Sequence, residues 1–374
     1  MKICFVVIEL DFFISHRLDL ATNLAKKHEV HVITNISNDS EYKIKTLLTS
    51  GITFHHLEGR KGSLNILGYI KYTLLLKKII QSLRLDCIFY VTVEMSVIGA
   101  LLNNAINIKK SFFLITGLEP FFFSSTPKYV LFRFCQKIIF TLLRFKSNYL
   151  FIFQNDDDKK IFIEKNLSLE DHSKIIQGNG IDVNYFAYME RDFSEDLIFL
   201  FASKLIYSKG IIEFINASTA LAKKYTNVHF HVAGKYDPTN PDSISLLEYR
   251  QFQENKYLKY LGYVEIDGIR DCFNSSSILV LPSYGEGLPK VALEAAATGM
   301  PLIVSDVRGA RDCVIDHKNG FYVQAKDSND LEGTMEKFIL QRNLIEKFGI
   351  ASSKIVQKKF SLELISTEFE KALH

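Results

Sequence analysis

Leu281-Pro-Ser-Tyr-Gly-Glu-Gly-Leu-Pro-Lys-Val-Ala-Leu-Glu-Ala-Ala-Ala-Thr-Gly-Met-Pro301 reads, in order, as the end of a strand, a loop, a helix and the start of another strand. Ile278 to Leu281 is a short apolar run suited to a buried parallel strand, and Pro-Ser-Tyr-Gly does not continue it. Pro289 suits a first helical position, where a missing N–H is harmless, and Gly299 suits the position past the end, which predicts a helix over 289–298. Pro301-Leu-Ile-Val-Ser305 then opens the next strand.

A helix N-terminus offers unpaired N–H groups and partial positive charge, so the loop Gly285-Glu286-Gly287-Leu288 before Pro289 is a seat for a phosphate. Two carboxylates flank it differently: Glu286 lies in the loop, and Glu294 lies more than a turn inside the helix. Carboxylates repel phosphate but accept hydrogen bonds from hydroxyls attached to it, so the pair suits a sugar and a ribose, and the ligand a nucleotide sugar. The plainer reading makes Glu286 a loop charge and Glu294 a solvated helix residue. Against it, Ala292, Ala295, Ala296 and Ala297 make the helix apolar nearly all round, which leaves Glu294 buried and needing a partner.

Glu286 and Glu294, set within Glu-Gly-Leu-Pro-Lys-Val-Ala-Leu-Glu-Ala, resemble the signature of the family 4 retaining glycosyltransferases. Ser305-Asp-Val-Arg-Gly-Ala-Arg-Asp312 and Asn319-Gly-Phe-Tyr-Val323 resemble the family's next segments in order and spacing. The resemblance implies an α/β chain of the GT-B kind, two Rossmann-like domains facing across a cleft, with the nucleotide sugar held mainly by the second. It also implies that the base lies near Gly262, Tyr263 and Val264, and that the last helix crosses back onto the first domain.

The chain's 374 residues suit two domains with full cores. Hydrophobic residues make up 47% and charged ones 23%, an ordinary globular balance without a low-complexity segment. The expected division is an acceptor-binding domain over 1–187, a nucleotide-sugar domain over 188–357 and a returning helix over 358–374. Five scattered cysteines read as reduced thiols of a cytoplasmic protein. No run reaches the roughly 18 apolar residues of a spanning helix.

Strand, helix and strand follow one another from Met1 to Thr34, with Ser15 placed to cap the helix and His16 and Arg17 at the sheet edge. Ser15-His-Arg-Leu-Asp-Leu-Ala21 resembles the opening of family members that build bacterial surface polysaccharides, and the Gly-Gly loop of many relatives is absent. His16 and Arg17, with Thr116 and Gly117 after the strand Phe112–Ile115, are therefore candidate acceptor-side residues. In the second domain Lys204 and Lys209 flank a strand-to-helix loop, where two ammonium groups stabilise a departing diphosphate. Relatives carry arginine at the first of these positions; lysine keeps the charge and loses the bidentate fork.

Residues 60–85, with Arg60, Lys61, Lys71, Lys77, Lys78 and Arg84, and residues 120–155, with Lys128, Arg133, Lys137, Arg144 and Lys146, carry no acid and are rich in Leu, Ile, Phe and Tyr. Such stretches are drawn to anionic lipid, which together with the resemblance places the chain peripherally on the inner face of the cytoplasmic membrane. A net charge of +3 and no nucleic-acid motif argue against nucleic acid as a partner. Asp156-x-Asp158 resembles a metal pair, but capping of the helix over 159–164 explains its acids, and no cofactor or metal is expected.

The implied function is transfer of a hexose or N-acetylhexosamine from a nucleotide diphosphate sugar, UDP-linked, to a lipid-linked (polyprenyl diphosphate) glycan. Glu286, Lys204 and Lys209 would be catalytic, and Gly287, Leu288, Pro289 and Glu294 would bind the donor. The alternatives are an epimerase or phosphorylase of the same fold, and a catalytically silent subunit of a polysaccharide assembly complex.

Overall fold

The apolar runs pair as parallel strands in two separate sheets. The structure, a computed structural model, describes the chain apart from residues 37–40, 59–65, 104, 107, 119–121, 123–125 and 191–195, and apart from the side chains of residues 41–43, 66, 67, 128, 266 and 267. It divides into two α/β units, Met1–Gly180 with Leu362–His374, and Ile181–Ser361.

In the first unit, β1 (Lys2–Glu9), α1 (Leu10–Ala25), β2 (Glu29–Asn35), α2 (Glu41–Thr49), β3 (Ile52–His56) and α3 (Ile66–Leu83) lead to β4 (Cys87–Val91). There follow α4 (Val93–Asn103), β5 (Lys110–Ile115), α5 (Pro127–Leu143), β6 (Tyr149–Phe153), α6 (Asp156–Glu164) and β7 (Ser173–Ile175). The sheet order is β3-β2-β1-β4-β5-β6-β7. Side chains alternate between its faces: Ile3, Phe5 and Val7 enter one core, while Cys4 and Val6 enter the other. Phe5, Phe89 and Phe112 stack across three neighbouring strands, with centroids 4.9 and 4.5 Å apart. Truncating a ring such as Phe89 to alanine would cost about 3–5 kcal/mol.

The second unit runs β8 (Leu197–Ala202), α7 (Ile211–Lys224), β9 (Val228–Ala233), α8 (Leu246–Gln253), β10 (Leu258–Gly262), α9 (Ile266–Asn274) and β11 (Ile278–Leu281). It continues with α10 (Lys290–Ala297), β12 (Leu302–Ser305), β13 (Gly320–Val323), α11 (Ser328–Leu340) and α12 (Asn343–Lys359). Its order is β10-β9-β8-β11-β12-β13. Phe199 and Phe201 face one core, and Leu200 and Ala202 the other. A final helix, α13 (Leu362–Leu373), packs on α1 with Ile365, Phe369, Ala372 and Leu373 in the first unit's core.

The crossings fall at 180/181 and 361/362, displaced from 187/188 and 357/358. Ile181 donates its N–H to the Phe360 carbonyl at 2.8 Å, and Ile181, Phe186 and Phe360 are all buried in the second unit's core. Apolar packing, which polarity alone does not reveal, sets the boundary.

Two local expectations change. The first helix begins at Leu10 directly after β1, so Ser15 is not its cap; mid-helix, its hydroxyl donates to the Asp11 carbonyl at 2.7 Å. Pro289 is the cap residue of α10, in extended conformation, and helical geometry starts at Lys290. β10 ends at Gly262, leaving Tyr263 and Val264 beyond it. Asn155 caps α6, accepting from the Asp158 N–H at 2.7 Å, and donates its side-chain N–H to the Asp158 carboxylate at 3.2 Å. No group of three or more His, Cys, Asp or Glu side chains among the described residues is arranged to hold a metal ion.

Candidate nucleotide-sugar site

In the second unit, β8 and β11 are neighbours, so the loops at their carboxyl ends lie side by side. This is where ligands bind in open parallel sheets. The first loop carries Lys204 and a short turn over Tyr207–Lys209; the second carries residues 282–289. They are held together by backbone: the Tyr284 N–H donates to the Ser208 carbonyl at 2.8 Å. Gly210, in left-handed conformation at φ 73°, lies so close to Pro282 that a Cβ would stand 2.1 Å from the Pro282 carbonyl oxygen.

A third loop closes the other side. Glu286 donates its N–H to the Arg308 carbonyl at 3.2 Å. A Cβ on Gly309 would lie 2.3 Å from the carbonyl oxygens of both Glu286 and Gly287. Glu286 is thus fixed between two neighbouring segments, and its carboxylate is nearly buried, 11% exposed. Lys209 Nζ donates to Glu286 Oε1 at 2.6 Å. Glu286 also contributes, after burial and Asp312, to holding the buried Cys313 thiol in its neutral form.

Inside α10, Glu294 is 8% exposed and forms an ion pair with Lys290 Nζ at 3.3 Å, one helical turn back. Sequence reasoning gave Glu294 a need for a partner without naming Lys290, which stood in the quoted motif. Gly287, Leu288 and Pro289 are buried. Lys204 is exposed on the same loop as Lys209; its charge is the smallest of the influences lowering the Asp237 carboxyl, after hydrogen bonds from Thr239 and the effect of Lys235. Around Gly262 a Cβ would meet nothing within 4 Å, so the backbone there is open to a flat ligand, and Tyr263 beside it is 60% exposed.

Two supporting contacts escaped the sequence. Asp242, in the loop between β9 and α8, accepts hydrogen bonds from the Ser208 N–H at 3.1 Å and from the Ser208 hydroxyl, bracing the Tyr207–Lys209 turn. Tyr284 donates its hydroxyl to Glu213 Oε1 at 2.8 Å, and the Lys326 ammonium lies 4.8 Å from its ring centroid. Burial, and then Glu213, keep that phenol protonated. Such contacts join segments far apart in sequence, and no local spacing announces them.

In the first unit, His16 stacks on Phe12 with centroids 4.4 Å apart and its Nδ1 lies 2.6 Å from the Ser15 hydroxyl. Arg17 is 2% exposed. Thr116 and Gly117 follow the carboxyl end of β5, with Gly117 at φ 135°.

Over its whole length the chain is similar to a cyanobacterial structure, Anabaena HepE in complex with UDP-glucose. The TM-score is 0.78 at 18% identity, covering 100% of this chain and 99% of that one. A likeness at that identity defines the fold: a two-domain α/β protein of the GT-B kind. The pattern described as "Glycosyl transferases group 1" matches residues 190–354, which include Lys204, Lys209, Gly262, Glu286 and Glu294 of the second unit. The chain is 30% identical over 319 residues, 82% of its length and 80% of the relative's, to N,N'-diacetylbacillosaminyl-diphospho-undecaprenol alpha-1,3-N-acetylgalactosaminyltransferase of Campylobacter jejuni. It is 28% identical over 195 residues, 52% of this chain and 49% of the relative, to the capsular polysaccharide biosynthesis glycosyltransferase CapM of Staphylococcus aureus. This chain belongs to the group 1 glycosyl transferases.

Proposed function

We propose that the chain is a retaining, family 4 type transferase that moves a hexose or N-acetylhexosamine from a UDP-sugar to a polyprenyl diphosphate-linked glycan in bacterial surface polysaccharide synthesis. The observation that carries this reading is the Lys209–Glu286 pair, at 2.6 Å, where the β8 and β11 loops meet. Transfer breaks the bond from sugar C1 to the diphosphate and forms one from C1 to an acceptor hydroxyl oxygen. The departing electron pair stays on UDP, so stabilising a diphosphate is the main demand. Lys209, Lys204 and the N-terminal end of α10 meet it, Glu286 orients the donor sugar, Glu294 takes the ribose, and the base lies along Gly262 to Val264. Retention follows from attack on the face the diphosphate leaves, with the hydroxyl proton passing to an oxygen of the departing diphosphate on that same face.

The acceptor class rests on the undecaprenyl diphosphate named for the Campylobacter relative. A surface feature supports work at the inner face of the cytoplasmic membrane. Val130, Leu131, Phe134, Ile138 and Leu142 on α5, and Phe145 just past it, are 48 to 85% exposed, interleaved with exposed Lys137 and Lys146. On α3, Ile70 and Leu74 are likewise exposed beside Lys71. Apolar anchors among cations suit an anionic lipid interface. No described helix is long and apolar enough to cross a membrane. Arg60 and Lys61 lie outside the described residues.

A panel of nucleotide sugars tests the donor. A ligand that binds only the folded state raises Tm, and at equal concentration the tighter ligand raises it more, with the logarithm of its affinity. UDP-sugars should raise it most; a larger rise with GDP- or ADP-sugars would overturn the choice of UDP.

A further inference from the structure

The stripe by which α1 enters the core of the first unit is Leu10, Phe13, Arg17, Leu20, Ala21 and Leu24, and every member but Arg17 is apolar. Arg17 is among the largest fully buried side chains of the chain. Its Nε has no hydrogen-bond partner, and the guanidinium makes no ion pair with any described residue. Burial alone lowers its pKa, to about 9, so it stays charged near neutral pH. An unpaired buried charge is strongly destabilising, and a methionine or leucine would fill the same stripe without that penalty. Among the described residues, then, the fold supplies no counter-charge for this cation.

Its place in the topology says where that counter-charge comes from. β1 lies between β2 and β4: the chain leaves β1 toward β2 and β3, then crosses over to continue from β4 toward β7. The crevice at the carboxyl ends of β1 and β4 is the switch point where open parallel sheets bind ligands. Helical side chains lean toward their helix's N-terminus, and α1 starts directly at the end of β1, so the guanidinium is carried back toward that edge. On the other side of the switch, Thr92 closes β4 at φ 90°, a conformation a β-branched residue rarely adopts. Thr92 also caps α4, accepting the Met95 N–H at 3.4 Å, so the positive end of that helix faces the same edge.

We propose that Arg17 is an anion-binding residue at this edge and that its ligand is a phosphoryl group, that of a diphosphate-linked lipid acceptor or of free pyrophosphate. A buried guanidinium takes such a group through two parallel hydrogen bonds. The identification of the lipid rests on the acceptor proposed above.

The test uses the full chain saturated with UDP, so that the second unit's diphosphate seat is filled, and titrates inorganic pyrophosphate and farnesyl diphosphate calorimetrically. The wild type should bind both, with farnesyl diphosphate the tighter if the lipid acceptor is the source and the two equal if free phosphate is. Arg17→Met should weaken both by about tenfold to hundredfold, the loss of charge-assisted hydrogen bonds. It should leave the affinity for UDP unchanged and melt no lower than wild type; Arg17→Lys should keep part of the binding. Unchanged titrations in Arg17→Met would overturn the proposal, as would lost UDP affinity or a marked fall in Tm without ligand, which would mean the charge is satisfied within the fold. Failure of the acceptor reading shows separately, as no transfer by the wild type to any prenyl diphosphate-linked glycan.

Discussion

Lys209 and Glu286 come from loops 77 positions apart in the chain, and in the folded second unit the lysine ammonium donates to the glutamate carboxylate at 2.6 Å. Without a nucleotide, each is the other's counter-charge. On the proposed donor placement, a diphosphate arriving at Lys209 would compete with Glu286, and a sugar hydroxyl reaching Glu286 would replace the hydrogen bond the carboxylate gives up. That placement would couple donor binding to the reorganisation of one ion pair.

Replacing Lys209 with alanine should weaken UDP itself. A charged hydrogen bond to phosphate is worth about 1.5–3 kcal/mol, so UDP affinity should fall by about tenfold to hundredfold. Calorimetric titration with UDP measures it, and equal affinity in both chains removes the lysine from the site.

Glu286→Gln should spare UDP and lose turnover. The amide keeps an oxygen for Lys209 and nearly the same volume, so Tm should hold, whereas a contact to the reacting sugar is lost. Turnover should drop by at least about a hundredfold. A lowered Tm with normal turnover would make Glu286 a structural residue.

The pattern of these two residues was legible before the fold was known: strand, glycine loop, proline and helix follow from residue chemistry, and both lysines stand at the loop after an evident strand. The pairing was not, because local periodicity carries no information on which strand lies beside which. Ser15 was misread as a cap because a hydroxyl near a helix start is equally at home inside the helix, bonded back to Asp11. Arg17 on a core stripe, Lys290 beneath Glu294, and Asp242 behind Ser208 likewise needed the tertiary structure.

Stability of the second unit should decline on mild acidification. Burial, and then Lys259 and His229, lower the His231 pKa from the ordinary 6.5 to about 4. A depressed folded value means the contribution is complete above the unfolded pKa and is lost as pH falls through the folded one, here from about 6.5 down to about 4. Tm recorded across that window should fall for the wild type and fall less for His231→Phe. Parallel curves would exclude this imidazole.

Membrane attachment should separate into two parts. Lys137→Glu with Lys146→Glu should remove the salt-sensitive part of sedimentation with anionic liposomes, each cation near the surface being worth about 1 kcal/mol. Phe134→Ser with Phe145→Ser should remove the part that survives about 1 M salt, where the Debye length is only about 3 Å. Wild-type sedimentation by both double variants would mean this face does not meet lipid.

The central claim is that the Lys209–Glu286 site cleaves a nucleotide diphosphate sugar for transfer. Its most direct test is UDP release from UDP-hexoses and UDP-N-acetylhexosamines, followed with a prenyl diphosphate-linked glycan present, for the wild type and for Lys209→Ala. The account predicts release from at least one donor by the wild type, with the sugar recovered on the acceptor in its original anomeric configuration, and little release by the variant. Release from no donor, or equal release by both chains, would contradict it.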